Sequence, residues 1–201
     1  MKEAYENFTY EIGGNLYINL TSRCTNACTF CVRNEKADYF GHKLWLAREP
    51  AAEEVTARLP EDISRYTEYV FCGFGEPTLR LGTLLEVAAF IKRRGGVTRL
   101  NTNGQANMIA GRDVTGELFG KVDKINVSLN EATAEDYVRL CRPAYGAAAF
   151  DGLQDFAQKC ARRGIDTWFS VVDVIGAQKV ELCRKIAARC GVALKVRPYI
   201  G

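Results

Sequence analysis

Residues 67–101, TEYVFCGFGEPTLRLGTLLEVAAFIKRRGGVTRLN, decide how this chain folds. The run through Tyr69, Val70 and Phe71 is short, apolar and rich in strand formers, which predicts a buried β-strand over 67–72. After the turn at Gly73–Pro77, Leu81, Leu84, Leu85, Ala88 and Ile91 recur at helical spacing, predicting a helix over 79–94 that Gly95 and Gly96 end. VTRLN at 97–101 then reads as a second strand. Parallel strands need a crossover of a dozen or more residues, and this helix supplies one.

The same alternation continues on both sides. Strands are predicted at 122–129 (VDKINVSL), 166–172 (DTWFSVV) and 192–198 (VALKVRP). Between them fall a short helix around 113–119 and longer ones at 148–163 and 177–190, the last carrying a stripe of Val180, Cys183, Ala187 and Cys190. Upstream, 50–60 reads as a helix, because Pro50 suits a first turn and Val55 and Leu59 lie four apart. Phe8, Tyr10 and Ile12, then Gly13-Gly14, then Leu16, Ile18 and Leu20 predict a β-hairpin leading into the first core strand. Strand and helix alternating six times predict an α/β fold with a parallel sheet. Six units cannot close an eight-stranded barrel. The expected architecture is therefore a partial, open TIM barrel of about (β/α)6 with an N-terminal β-hairpin, with a flat doubly wound sheet as the alternative. No linker-like or repeated stretch interrupts the chain, so residues 1–201 are expected to form a single domain.

Lysine and arginine number 27 against 24 acidic residues, and the resulting +3 is no nucleic-acid or membrane signature. MKEAYENFTY lacks the apolar core of a secretion signal, and no segment approaches the roughly 20 apolar residues of a membrane span. A cytoplasmic protein is expected. In that reducing setting the 8 cysteines read as metal ligands and buried thiols rather than disulfides.

A parallel strand covered on both faces should be almost wholly apolar, so polar residues at strand ends are the informative positions. Thr21, Ser22 and Arg23 follow the first core strand, CGFGEP the second and NTNG the third; Ser128 and Asn130 end the fourth, Asp173 the fifth and Arg197 the sixth. The carboxyl ends of parallel strands form one face, where ligands bind. Six segments thus converge on one predicted site, that of an enzyme or a ligand-binding protein.

Cys24, Cys28 and Cys31, with three and two residues between them, stand in the loop after the first core strand, in a chain with 1 histidine, His42. Three thiolates suit a soft metal, as iron–sulfur or zinc. Structural zinc takes four protein ligands, usually from two separated pairs, and no second pair at such spacing exists. Zinc completed by Cys72 or His42, and unrelated buried thiols, stay open as alternatives. Three ligands to a cubane leave one iron free for a cofactor. Cys160, Cys183 and Cys190 fall on helical faces and read as core.

The C-x3-C-x-aromatic-C pattern of Cys24–Cys31, together with Gly73-Phe74-Gly75-Glu76-Pro77, resembles the cluster loop and the GGEP motif of the radical S-adenosylmethionine (SAM) superfamily. NLYINLTSRCTNACTFCVRN, FCGFGEPTLR, LNTNG, CRP and VRPYI are similar to the short TatD-associated radical SAM proteins, over nearly the whole chain. The resemblance implies one 4Fe-4S cluster on Cys24, Cys28 and Cys31, with SAM on the fourth iron. It implies reductive cleavage of SAM to methionine and a 5'-deoxyadenosyl radical that takes hydrogen from a substrate, with electrons from a donor such as flavodoxin or ferredoxin. It places Phe30 near the adenine, and Gly73, Phe74, Gly75 and Glu76 at the SAM amino group, with Phe74 departing from the family's second glycine. Asn101, Thr102 and Asn103 match positions that hydrogen-bond SAM, and Ser128 and Asn130 a position at its ribose or carboxylate. Arg142 and Arg197 are candidates for the SAM carboxylate or a substrate anion, and Asp173 is a further candidate. Each also has a plainer reading, as turn, helix cap or surface ion pair. The open barrel side invites a cover: a protein partner, as in glycyl-radical activases, or a homodimer. A non-catalytic iron–sulfur or SAM-binding module serving a partner is the competing class.

Overall fold

The computed structural model describes residues 5–35 and 38–199. Strands β1 (Thr9–Ile12) and β2 (Asn15–Ile18) form an antiparallel hairpin. Its two-residue turn is Gly13-Gly14, both at positive φ (56° and 78°), as the twist of a tight hairpin demands. Strands β3 (Tyr69–Phe71), β4 (Thr98–Thr102), β5 (Lys124–Ser128), β6 (Asp166–Val172) and β7 (Ala193–Arg197) follow, each parallel to the one before, beginning with β2. The order is β1-β2-β3-β4-β5-β6-β7. A doubly wound sheet reverses its strand order at a switch point; this one runs in sequence from edge to edge and stays open, a partial barrel of six parallel strands.

Helices α1 (Val32–Glu35), α2 (Ala52–Thr56), α3 (Leu81–Arg93), α4 (Ala106–Ala110), α5 (Thr115–Leu118), α6 (Ala134–Cys141), α7 (Ala148–Arg162) and α8 (Ala177–Cys190) lie in the connections. The main core forms between helices and sheet, where Leu84, Val87 and Ile91 of α3 and Leu153 and Phe156 of α7 are buried in one cluster with Leu100, Val127 and Phe169 of the strands. Cys160 and Cys183 belong to this core and Cys190 packs against it. Among the described residues no helix is long and apolar enough to cross a membrane.

Two features depart from the sequence reading. Helices α1, α4 and α6 were not among the predicted elements; α6 is capped by Thr133, whose hydroxyl accepts the Asp136 amide at 3.2 Å. Secondly, polar residues are not confined to strand ends. Register sets Arg99 beside Lys124 and Lys124 beside Asp166; one layer up it sets Asn101 beside Asn126 and Asn126 beside Trp168; the next layer is Ser128, Ser170 and Lys195. These residues all line the inner cleft. Strand side chains alternate between faces; α3 and α7 pack against one face of this sheet, and these residues lie on the other. At the amino-terminal end, Glu68 bridges Arg99 (2.8 Å) and Lys124 (2.7 Å), forming a charged floor.

Candidate active site

The cysteine loop leaves β2 and is tied down at both ends. At its start, Glu49 accepts from Thr21 Oγ1 (2.6 Å), Arg23 Nε (2.7 Å) and Arg80 Nη1 (2.7 Å). Burial pushes the Glu49 carboxyl up, but hydrogen bonds from Arg23, Thr21 and Arg80 outweigh it and hold the pKa at about 2. In its middle, the loop runs along the end of α6: Ala27 N donates to Cys141 O (3.0 Å), Thr29 N to Leu140 O (2.9 Å) and Ala144 N to Thr25 O (2.7 Å). At its far end Arg33 turns back into it, donating to the carbonyls of Ser22 (3.2 Å), Phe74 (3.2 Å) and Asn26 (3.3 Å). Beneath the loop a buried amide–phenol group joins three elements: Gln105 Nε2 donates to Asn26 Oδ1 (2.7 Å), and Asn26 Nδ2 donates to the Tyr137 hydroxyl (3.1 Å).

The turn after β3 is locked onto the same loop. A Cβ on Gly75 would stand 2.3 Å from the Thr21 carbonyl oxygen and 2.4 Å from that of Arg23; one on Gly73 would stand 2.0 Å from Asn19 Oδ1. Close approach explains both glycines, but the group approached is the chain's own, where a ligand was the reason expected from the sequence. Glu76 N donates to Arg23 O (2.8 Å). The Glu76 carboxylate is buried and accepts from Thr78 N (3.1 Å), Thr78 Oγ1 (2.7 Å), Thr102 Oγ1 (2.8 Å) and Asn103 N (2.7 Å). Burial still pushes its pKa above the ordinary carboxylate value. Glu76 and Thr102 thus knot the two turns together beneath the site.

The three thiols are half-buried and in no disulfide. Cys24 Sγ accepts from Asn26 N (3.4 Å) and from Asn103 Nδ2 (3.9 Å), while Asn103 Nδ2 also reaches Thr25 Oγ1 (2.8 Å). Burial pushes Cys24 up to about 11, and the nearby Glu76 adds to it. A hydrogen bond with the Cys141 thiol, and then burial, hold Cys28 well above the ordinary thiol range. Cys31 faces the inner cleft beside Phe30, Gly73 and Phe74. Among the described residues no three metal-binding side chains are gathered around one point; Cys28 is turned onto Cys141 and would have to leave it to join the others. The donor set fits an iron–sulfur cluster nonetheless: three reduced thiols on one anchored loop, with N–H donors already directed at Cys24.

The cleft encloses about 780 Å³. Of the other predicted residues, Asn101, Ser128 and Arg197 line it, with Asn101 Oδ1 accepting from Arg99 Nη1 at 3.0 Å. Asn130 is buried at φ 60°, donating to Cys141 Sγ at 3.7 Å. Two candidates are placed elsewhere. Arg142 is exposed at the end of α6 with φ 46°, and Asp173 is exposed with its carboxylate accepting from Tyr199 N at 2.9 Å; neither lines the cleft. His42 Nε2 sits 3.0 Å from Glu11 O, on the hairpin, so it does not complete a zinc site with the cysteines.

Residues the sequence reading passed over are also here. Arg33 is one; Asn126, Trp168, Ser170 and Lys195 are others. A period-two recurrence of polar residues, as in Arg99-x-Asn101 and Lys124-x-Asn126-x-Ser128, was the signal available for the inner face.

A model of the Radical SAM superfamily matches residues 18–181. The chain belongs to the radical SAM superfamily. Its cofactors are a 4Fe-4S cluster and SAM. Among solved structures the fold is similar to SuiB of Streptococcus suis bound to S-adenosylmethionine, with TM-score 0.72 and 14% identity, covering 94% of this chain and 41% of SuiB. It is also similar to TYW1 with a lysine-pyruvate adduct (TM-score 0.65, 14% identity, 100% of this chain and 70% of that one). A third is anSMEcpe with bound AdoMet (0.61, 16%, 92% and 50%). At such identities the likeness establishes the partial-barrel fold, and this radical SAM chain spans less than half of SuiB. A search of curated proteins finds no significant match.

Proposed function

We propose that this chain holds a 4Fe-4S cluster on Cys24, Cys28 and Cys31 and cleaves SAM reductively, for hydrogen abstraction from a substrate in the inner cleft. The observation that carries this is the loop itself: three reduced thiols on a segment knotted to the Gly73–Glu76 turn and opening on the cleft. When bound, the cluster supplies the electron that splits SAM, and the radical so formed supplies the hydrogen abstraction. The chain's own residues position and shield. Arg33 and Glu49 fix the loop, Glu76 and Thr102 fix the turn whose backbone receives the SAM amino group, and Phe30 and Phe74 exclude water from the cleft mouth. Asn101 and Ser128, which line the cleft, would hydrogen-bond SAM. An external reductant such as flavodoxin or ferredoxin delivers the electron, in the cytoplasm. Kinship with the TatD-associated group rests on the segments NLYINLTSRCTNACTFCVRN and VRPYI.

Anaerobic reconstitution tests the reading. It predicts about four irons and four acid-labile sulfides per chain, and 5'-deoxyadenosine on adding SAM and dithionite. Replacing Cys24, Cys28 or Cys31 by alanine should lower bound iron and abolish 5'-deoxyadenosine. Zinc without labile sulfide, or an intact cluster that leaves SAM uncleaved, would overturn it.

A further inference from the structure

The inner face of the barrel below the cysteine loop carries polar groups that the cofactors do not account for. Its lowest layer is self-neutralising: Arg99 and Lys124 pair with Glu68, and Asp166 stands next to Lys124 in register. Two cations remain above it on β7, Lys195 and Arg197, and both line the cleft. Lys195 Nζ lies 3.6 Å from the centre of the Trp168 ring, and among the described residues neither cation makes an ion pair. Arg197 is close enough to Tyr39 and Cys72, on the opposite wall, to favour their ionised forms.

An edge strand takes charges for its own protection, but that reason does not reach the neighbours of these cations on the inner strands. Ser170 is fully buried and Asn126 is 5% exposed. Ser170 Oγ and Asn126 Oδ1 have no hydrogen-bond partner among the described residues. Ser170 sits in register between Ser128 and Lys195, one layer above Asn126 and Trp168. Buried polar atoms are nearly always satisfied, and exceptions mark an absent occupant or a working site. An occupant here must bring negative charge to Lys195 and Arg197 and a hydrogen-bond donor to Asn126 and Ser170.

We propose that this layer is the substrate site and that its substrate is a small anion, bearing a carboxylate or phosphate held by Lys195 and Arg197 and an N–H or O–H group presented to Asn126 and Ser170. The inference rests on the proposed radical SAM reading, which puts SAM at the cleft mouth beside Phe30 and Gly73. It commits Arg197 to the substrate anion rather than to SAM. Guanidinium and ammonium together give the anion both a fork and a point charge.

The test uses reconstituted, SAM-loaded protein in anaerobic equilibrium dialysis, with pyrrole-2-carboxylate and its uncharged partner pyrrole-2-carboxamide as probes. The carboxylate is expected to bind about tenfold tighter than the amide or better, a difference of about 1.4 kcal/mol. Lys195→Met should abolish that preference and Lys195→Arg should keep it. If Lys195→Met does not fold, Arg197→Met serves in its place. Inorganic phosphate as competitor separates the two anions: displacement of the probe assigns a phosphate-bearing substrate, and no displacement a carboxylate. Equal binding of acid and amide, or a preference that survives both Met variants, overturns the inference while SAM retention stands. Failure of the wild type to retain SAM instead sinks the reading beneath it.

Discussion

Gly75 and Glu76 do different work from what their motif suggests in isolation. Gly75 lacks a side chain because the backbones of Thr21 and Arg23 occupy the space. Gly75→Ala therefore forces the cysteine loop away from the turn, and overpacking of this kind costs about 1–3 kcal/mol. The expected result is a lower urea midpoint together with reduced iron after reconstitution; an unchanged midpoint would mean that the loop gives way freely. Glu76 carries a pH signature. Because burial raises its folded pKa above the unfolded value, the folded chain keeps a proton that the unfolded chain has lost. Its contribution is full below the ordinary carboxylate pKa and declines as pH rises through the raised one. Glu76→Gln removes that decline, at the expense of turning an amide N–H2 on donors such as Asn103 N, about 1–3 kcal/mol. Denaturation curves from about pH 4 to about pH 8 should show the wild type losing stability relative to the variant as pH rises; parallel curves would refute the assignment.

Helix α6 shows what a sequence conceals. The strand at 166–172 and the helices at 148–162 and 177–190 lie where periodicity places them, because each buries a continuous stripe. Helix α6 has eight residues and only Tyr137 and Cys141 buried. Segments so short are marginal alone and form through tertiary contacts, here with the cysteine loop, 110 residues or so earlier in the chain. The positions of Cys24, Cys28 and Cys31 were legible from spacing; what holds their loop was not, since Asn26, Gln105 and Tyr137 share no local pattern. Tyr137→Phe takes the hydroxyl from Asn26 Nδ2 and Gln105 Nε2, which should cost about 1–2 kcal/mol. Asn26→Ala strands Gln105 and Tyr137 and should cost about 2–3 kcal/mol. The double variant should cost less than the sum, because all three side chains share one network; strict additivity in a double-mutant cycle would argue that they act separately.

Across the whole molecule, an open barrel has an inner face that a closed one would fill with packed side chains, and polarity along that face is how the sheet stays solvated without collapsing. Of the polar residues at strand ends, Asn101, Ser128 and Arg197 line the cleft and Asp173 does not; Arg99, Asn126 and Ser170 lie within strands and were hidden by the expectation that parallel strands are apolar on both faces. The floor depends on one carboxylate. Glu68 meets Arg99 and Lys124 where its side chain is 14% exposed, and burial pushes its pKa up less than those two partners pull it down. Glu68→Gln leaves two cations at a half-buried site with less to balance them, and breaking such a pair from one side costs about 3 kcal/mol. Removing Glu68 and Arg99 together, as Glu68→Met with Arg99→Met, leaves one cation, Lys124, without its partner instead of two and should cost less than the single change. Thermal denaturation of the two variants decides it: a double variant less stable than Glu68→Gln would mean that Arg99 holds the barrel by its own packing, and that charge balance is not what closes the amino-terminal end.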